Sequence, residues 1–288
     1  MLRGRLGLDT ARIPESDRHG LMWLGRGNLT VEAGTLRFVT AGDGELPAGD
    51  YAIPFQMVSC LMLQPGTTVS HDALRLLARH GTGLVATGDG GVRLYASMPF
   101  GPDDSALARR QAALWAEGGE GRVDVARRMY AWRLGEIFPE ADIAVLRGME
   151  GHRARETYRR IAQQFGIDWK GRRYDRQDPG AADVPNQAVN HAATAVEAAA
   201  MVSVAVTGTI PQLGFIHEDS GLSFCLDIAD LYRDSVTLPV AFAAARDAMA
   251  QGEKELERLV RHHARRVFKD AKLIQGMIDR IKSLLEEK

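Results

Sequence analysis

The residue types best suited to chemistry lie in Gly214–Arg233, GFIHEDSGLSFCLDIADLYR. This stretch supplies His217, a turn over Glu218–Gly221, and then a segment with Phe224, Ile228 and Leu231 at helical spacing. That spacing predicts a helix, with Ser223 as its N-cap. At 100° per residue, Ser223, Asp227, Asp230 and Asp234 fall within a sector of roughly 60°. Two carboxylates three apart on one face, with an imidazole just upstream, could hold a hard divalent cation. The alternative is the ordinary polar face that any amphipathic helix needs.

A second stretch, LRGMEGHRARETYRRIA over 146–162, places Glu150 between Gly148 and Gly151 in a strip otherwise rich in arginine. Each glycine inside a helix costs about 1 kcal/mol relative to alanine. Such a cost is tolerated where a backbone must come close to something, either another helix or a phosphate. A carboxylate in a positive field ionises readily and can still bind a metal. Glu156, by contrast, reads as the partner of Arg155 and Arg159 in intrahelical ion pairs.

Two further stretches suit a polyanion. Trp169-Lys170-Gly171-Arg172-Arg173-Tyr174 interleaves cations with aromatic rings, which contact phosphates and stack on bases or brace a strand end. Arg258, Arg261, His262, His263, Arg265, Arg266, Lys269 and Lys272 form a second basic run with Asp270 as its one acid. It could track a phosphate backbone or be a solvated helix face. The net charge of −1 hides this asymmetry. Residues 147–176 carry nine Arg or Lys against four acids, a net of +5, and 177–250 carry two against nine, a net of −7. The two segments could also simply neutralise each other in the fold.

These groups must be positioned by the rest of a 288-residue chain, which is 45% hydrophobic and 25% charged, as expected of a globular protein with a sizeable core. Short β-rich runs are predicted at 21–24, 29–32, 35–39, 51–53, 58–63, 84–87 and 92–96, separated by glycine-containing turns. A helix over 70–80, capped by Ser70, interrupts them, and His71 and His80 on it read as surface histidines. A Pro/Gly-rich connector follows, and beyond it the periodicity is helical, with helices predicted over about 105–117, 123–135, 143–165 and 186–207 before the acid-bearing one. The expected class is α+β. A β-sandwich-like domain over 1–98 and a linker at 99–104 precede a larger all-α catalytic domain over 105–288.

Several chemistries are excluded. The sequence has no Gly-rich loop followed by Lys-Ser/Thr, no dinucleotide fingerprint and no GxSxG. Two cysteines, Cys60 and Cys225, allow neither a disulfide framework nor cysteine-based zinc binding, and Cys225 reads as inert packing. The N-terminal stretch has arginines but no continuous apolar run, so no secretory leader is expected. Ala192–Gly208 is apolar but short and interrupted by Glu197, which suits a buried core helix better than a membrane span. The expectation is a cytoplasmic protein with no membrane partner.

Taken together, LRGMEGHRARETYRRIA, WKGRRYDRQD and LGFIHEDSGLSFCLDIADLYR resemble the CRISPR-associated integrase of the adaptation module, CRISPR-associated protein one, its type I-E branch in particular. The similarity extends to LMLQPGTTVSHDALRLLARHGTGLV and GVRLYAS in the first domain. The resemblance implies a β-domain followed by a helical domain with a single-metal site, whose ligands fall on Glu150, His217 and Asp230. Asp227 matches a further catalytic acid beside the site. Arg93, Arg147, Arg172, Arg173 and Tyr174 lie where relatives touch DNA.

The cofactor implied is Mg²⁺ or Mn²⁺, since imidazole is a softer partner than carboxylate. The activity implied is metal-dependent integration, in which a spacer 3′-hydroxyl attacks a phosphodiester of the CRISPR repeat. The implied partners are double-stranded DNA (spacer precursor and CRISPR repeat), a second copy in a homodimer, and a dimer of CRISPR-associated protein two. Two alternatives stay open: a stand-alone metal-dependent nuclease on branched or linear DNA, and a non-catalytic DNA-binding scaffold.

Overall fold

The computed structural model describes residues 20–42, 46–97, 105–116, 119–173, 182–251 and 255–285. The chain divides into two compact units, Met1–Thr87 with Tyr95–Ser105, and Gly88–Leu94 with Ala106–Lys288. The expected linker at 99–104 lies outside the described residues. The class is α+β, a strand-rich region followed by a helical one.

In the first unit, β2 (Gly27–Glu32) and β3 (Thr35–Thr40) form a hairpin. Ala33 and Gly34 turn it with φ of 48° and 77°, the paired positive φ of a turn whose twist matches the flanking strands. β4 (Gly49–Ala52) joins β3 and β6 (Thr67–Val69) joins β2, giving the sheet order β4-β3-β2-β6. Alternation along β3 buries Leu36, Phe38 and Thr40, as expected for a sheet with one covered face.

The second sheet has the order β1-β5-β7-β8, formed by Leu21–Leu24, Cys60–Leu63, Gly83–Thr87 and Leu94–Ser97. Here β5 runs parallel to both β1 and β7, and all four of its residues are buried. A central parallel strand covered on both faces reads as an unbroken apolar run, which is what Cys60-Leu61-Met62-Leu63 is. Leu24, Leu29, Leu36, Phe38 and Leu61 from both sheets meet Leu77 of α1 (His71–His80) in one core. Ser70 Oγ accepts the Ala73 N–H at 3.2 Å and caps α1. His80 corrects the expectation of a surface histidine. It is 5% exposed and its ring lies edge-on to Phe55 at 5.0 Å.

The second unit contains α2 (Ala106–Ala116), α3 (Glu120–Leu134), α4 (Ile143–Gln164), α5 (Val184–Thr207), α6 (Ser223–Asp230), α7 (Leu238–Gln251), α8 (Leu256–Asp270) and α9 (Leu273–Leu285). It is organised around α5, which packs on α6, α7, α8 and α9. The alanines at 188, 192, 195, 198, 199 and 200 are buried along it, and small side chains are what allow one helix to take several close neighbours. Asp183 Oδ1 accepts the Asn186 N–H at its start, and Gly208 closes it at φ 65°. By length and composition α5 could cross a membrane, with mean hydropathy 1.3, but 56% of that stretch is buried within the protein. Its apolar surface is therefore used as core.

Between α6 and α7 the helix widens into a π turn over Arg233–Thr237. Pro239 lacks the N–H that would return to residue 235, and its ring crowds that carbonyl, so a regular α ladder cannot run through here. Replacing Leu61 by alanine in the centre of the first core leaves a cavity that neighbouring strands cannot fill. A loss of about 3 kcal/mol is expected, measured by chemical denaturation of the intact protein.

Candidate metal centre

Asp227 lies in the middle of α6 and is 0% exposed. A buried carboxylate is tolerated only when its oxygens are saturated. Here Oδ2 accepts the N–H of Phe215 at 2.6 Å and of Ile216 at 3.0 Å, while Oδ1 accepts the His217 N–H at 2.9 Å and faces His217 Nδ1 at 2.7 Å. Ser223, on the same face, is also 0% exposed. The solvated polar face that the helical spacing left open is therefore ruled out for these two residues, because the 209–222 loop closes over them.

The carbonyls of that loop are held from the other side. Gln111 Nε2 on α2 donates to the Ile210 and Leu213 carbonyls at 2.9 Å each, and Trp115 Nε1 donates to the Gly214 carbonyl at 3.1 Å. Arg122 Nε on α3 donates to the Phe215 carbonyl at 3.0 Å, and Arg147 on α4 donates to the Ile216 carbonyl. A loop running through the interior has to pair its backbone groups in this way. Gly214 is required at its bend: a Cβ there would stand 2.4 Å from the His217 carbonyl oxygen and 2.7 Å from Ser223 Cβ.

His217 is thereby fixed by its own N–H and by its ring. Because the Asp227 carboxylate accepts, Nδ1 carries the hydrogen and Nε2 presents a lone pair on the other side. The hydrogen bond to Asp227 raises the His217 pKa above its ordinary value, with burial opposing and the charges of Asp227 and Asp230 adding to it.

One turn beyond Asp227, Asp230 shares its guanidinium partners with Glu150. Arg133 Nη1 on α3 stands 2.6 Å from Glu150 Oε1 and 3.7 Å from Asp230 Oδ2. The two acids, on α4 and α6, thus flank one point. Arg233, on the π turn, pairs with Asp230 Oδ1 and lies 3.6 Å from Glu150 Oε1. Tyr130, also on α3, donates its hydroxyl to Glu150 Oε2 at 3.2 Å. Burial, followed by the charge of Glu150, pushes the Tyr130 phenol well above its usual value, so it acts as a donor. Two carboxylates side by side and four-fifths buried repel each other unless cations offset them, and the two guanidinium groups do so. Glu197 on α5 is a further acid nearby: burial first, and the charge of Asp230 second, raise its pKa.

Glu150, Asp230 and His217 offer carboxylate oxygens and an imidazole nitrogen, a donor set that suits Mg²⁺ or Mn²⁺. Glu150 and Asp230 converge, and His217 lies close enough for the charge of Asp230 to act on it. Among the described residues no three such groups stand gathered at ligand spacing; the position between the acids is held by Arg133. Tyr130, Arg133, Arg233 and Glu197 were not singled out as site residues from the sequence. The one signal for Glu197 was an acid interrupting an apolar run. Cys225 is inert packing as expected, with burial pushing its thiol up to about 12.

The residues expected to touch DNA fare differently. Arg93 forms an ion pair with Glu257 of α8. Arg147 clamps the Ile216 carbonyl, and Arg172 Nη1 and Nη2 donate to Asn186 Oδ1 and Asn190 Oδ1 at 3.2 and 2.5 Å. The Arg173 N–H donates to Asn186 Oδ1 at 2.8 Å and its residue is exposed. Tyr174 lies outside the described residues. A cavity of about 450 Å³ is lined by Arg155, Tyr158, Arg159, Trp169, Arg172 and Arg233, with Trp169 braced between Tyr158 and Phe242 at ring distances of 5.2 and 5.3 Å.

Among the described residues nothing lies within 4 Å of a Cβ added at Gly148 or Gly151. No described helix therefore makes the close approach that the glycines would allow, and both lie on a face of α4 turned away from the Glu150 side chain. The second basic run is less free than its sequence suggests. Arg258, Arg261 and Arg265 pair with Glu255, Glu257 and Asp89, and His263 is buried against Asp247 at 2.8 Å.

The sequence signature described as CRISPR associated protein Cas1 matches residues 132–271. The chain is 37% identical over 278 residues to CRISPR-associated endonuclease Cas1 3 of Methanospirillum hungatei, covering 96% of this chain and 90% of that protein. It is 38% identical over 276 residues to CRISPR-associated endonuclease Cas1 of Geobacter sulfurreducens, covering 95% of this chain and 86% of that one. The crystal structure of a TtCas1–DNA complex is similar with a TM-score of 0.81 and 31% identity, covering 96% of this chain and 100% of the other.

Asp227→Ala would leave the Phe215, Ile216 and His217 N–H groups buried and unpaired. It should cost about 3 kcal/mol of stability in chemical denaturation. By NMR it should also lower the imidazole pKa of His217, since that carboxylate is the main cause of its rise.

Proposed function

Because the chain belongs to the Cas1 family of CRISPR-associated proteins, we propose that it is a divalent-metal-dependent DNA endonuclease and integrase of the type I-E branch that inserts spacer DNA into a CRISPR array. The observation that carries this reading is the meeting of Glu150 and Asp230 at one point, with His217 oriented beside them by Asp227. The DNA-bound relative and the arginine- and aromatic-lined cavity next to Arg233 support DNA as the substrate.

Glu150, His217 and Asp230 would hold Mg²⁺ or Mn²⁺, whose Lewis acidity would draw charge from the scissile phosphate and ease loss of the proton from the attacking 3′-hydroxyl. Asp227 acts through His217: it fixes the ring and the tautomer, with no oxygen left to reach substrate. Arg155, Arg159 and Arg172 border the cavity and would neutralise backbone phosphates leading to the acids. Holding the hydroxyl in line with phosphorus supplies the orientation that the reaction needs, and no protein nucleophile is involved. Arg93, Arg147, Arg173 and Tyr174 belong to the DNA-contacting set by resemblance, and the first two would have to leave Glu257 and Ile216 to serve there. A homodimer joined to a dimer of CRISPR-associated protein two, working in the cytoplasm, completes the reading.

A stand-alone nuclease would use the same site with water as nucleophile. Asp230→Ala should lower strand transfer about 100-fold or more while DNA binding, measured by mobility shift, is largely retained. Full strand transfer in that variant would dismiss the site. DNA with blocked 3′ ends separates the two activities: integration should stop, whereas simple hydrolysis would continue.

A further inference from the structure

Both positive groups that meet Glu150 do so through one oxygen. Arg133 Nη1 is 2.6 Å and Arg233 Nη1 3.6 Å from Oε1. The other oxygen, Oε2, accepts the Tyr130 hydroxyl at 3.2 Å. Tyr130 and Arg133 are three apart on α3, so they project from one face of that helix and reach the same carboxylate from adjacent turns. Tyr130 is 1% exposed, which leaves its hydroxyl no solvent as an alternative partner. Oε1 is therefore the atom turned toward Asp230, and the guanidinium between the two acids marks where a cation touches both.

The geometry points to Tyr130 as a positioning residue: its hydroxyl holds Glu150 Oε2, so that Glu150 offers the metal a single oxygen, Oε1, on the Asp230 side. This inference rests on the metal reading above and adds to it the way in which one ligand is oriented. A carboxylate with both oxygens free can rotate, or chelate an ion through both and close a coordination position. A phenol bonded to one oxygen removes that choice. Outer partners of this kind set ligand orientation and hence affinity. Held at Oε2, Glu150 would contribute Oε1 alone to a bound ion and would not chelate it through both oxygens.

The test is Tyr130→Phe in the full chain, which removes one hydroxyl and keeps the buried ring. The probe is Mn²⁺ alone, titrated without DNA by calorimetry and by the loss of free-ion EPR signal. Mn²⁺ binding should weaken about tenfold, with the thermal midpoint changed by only a few degrees. Strand transfer at limiting Mn²⁺ should fall by a similar factor and recover when Mn²⁺ is raised to saturation. A merely structural tyrosine would shift the midpoint and leave Mn²⁺ affinity as in the parent, which would overturn the proposal. Glu150→Gln is the control. If it abolishes Mn²⁺ binding while Tyr130→Phe does nothing, only the positioning role falls. If neither substitution affects Mn²⁺ binding, the metal reading falls and takes the positioning role with it.

Discussion

One buried carboxylate organises the centre of the helical unit. Asp227 has both oxygens occupied by three consecutive backbone N–H groups and the His217 ring. A charge at 0% exposure survives only with that degree of saturation, so the loop and the helix define each other. Neither can shift without uncovering the acid. The imidazole is then held at its Nδ1 edge, and the geometry of Asp230, three residues along the same helix, is inherited from the same anchor.

Around that anchor, four elements converge for reasons that lie outside the acids themselves. α5 supplies a small-residue surface on which α6 can sit closely. The π turn, required just ahead of Pro239, carries Arg233 to the acids. α3 brings Tyr130 and Arg133, and α4 brings Glu150. The resulting cluster contains its own counter-charge. Without an ion, Arg133 and Arg233 offset the mutual repulsion of Glu150 and Asp230; with one, the dication would take over that task at the same point. The site can thus be stable in both conditions, because opposite charge is present either way.

Much of this arrangement was legible in the order of residues. Helix α4 begins at Ile143 where the apolar period begins, α1 starts after Ser70 as its cap demanded, and α5 carries the apolar density of a core helix. Glu150, His217 and Asp230 were recognisable through ordered motifs resembling a known family. What the spacing could not distinguish was a polar helix face covered by water from one covered by a loop, and Asp227 belongs to the second kind. Nor could it find Tyr130, Arg133 and Arg233, whose relevance comes from contacts with residues many turns away in the chain or from a local widening of the helix. On α8, Arg258 and Arg261 pair with Glu255 and Glu257 within one turn, whereas the pairing of Arg265 with Asp89 was hidden by their distance along the chain. The parallel neighbours of β5 were likewise hidden, since alternation along a strand says which face is covered but not which strand lies beside it.

The sharpest measurement is a crystal of this protein soaked in MnCl₂, with anomalous scattering recorded at the manganese edge. The expected result is one strong peak bonded to Glu150 Oε1, Asp230 and His217 Nε2, with the Arg133 guanidinium displaced from between the acids. A map with no peak there at saturating Mn²⁺, or with a peak that leaves out any of the three side chains, would contradict the shared-cation site.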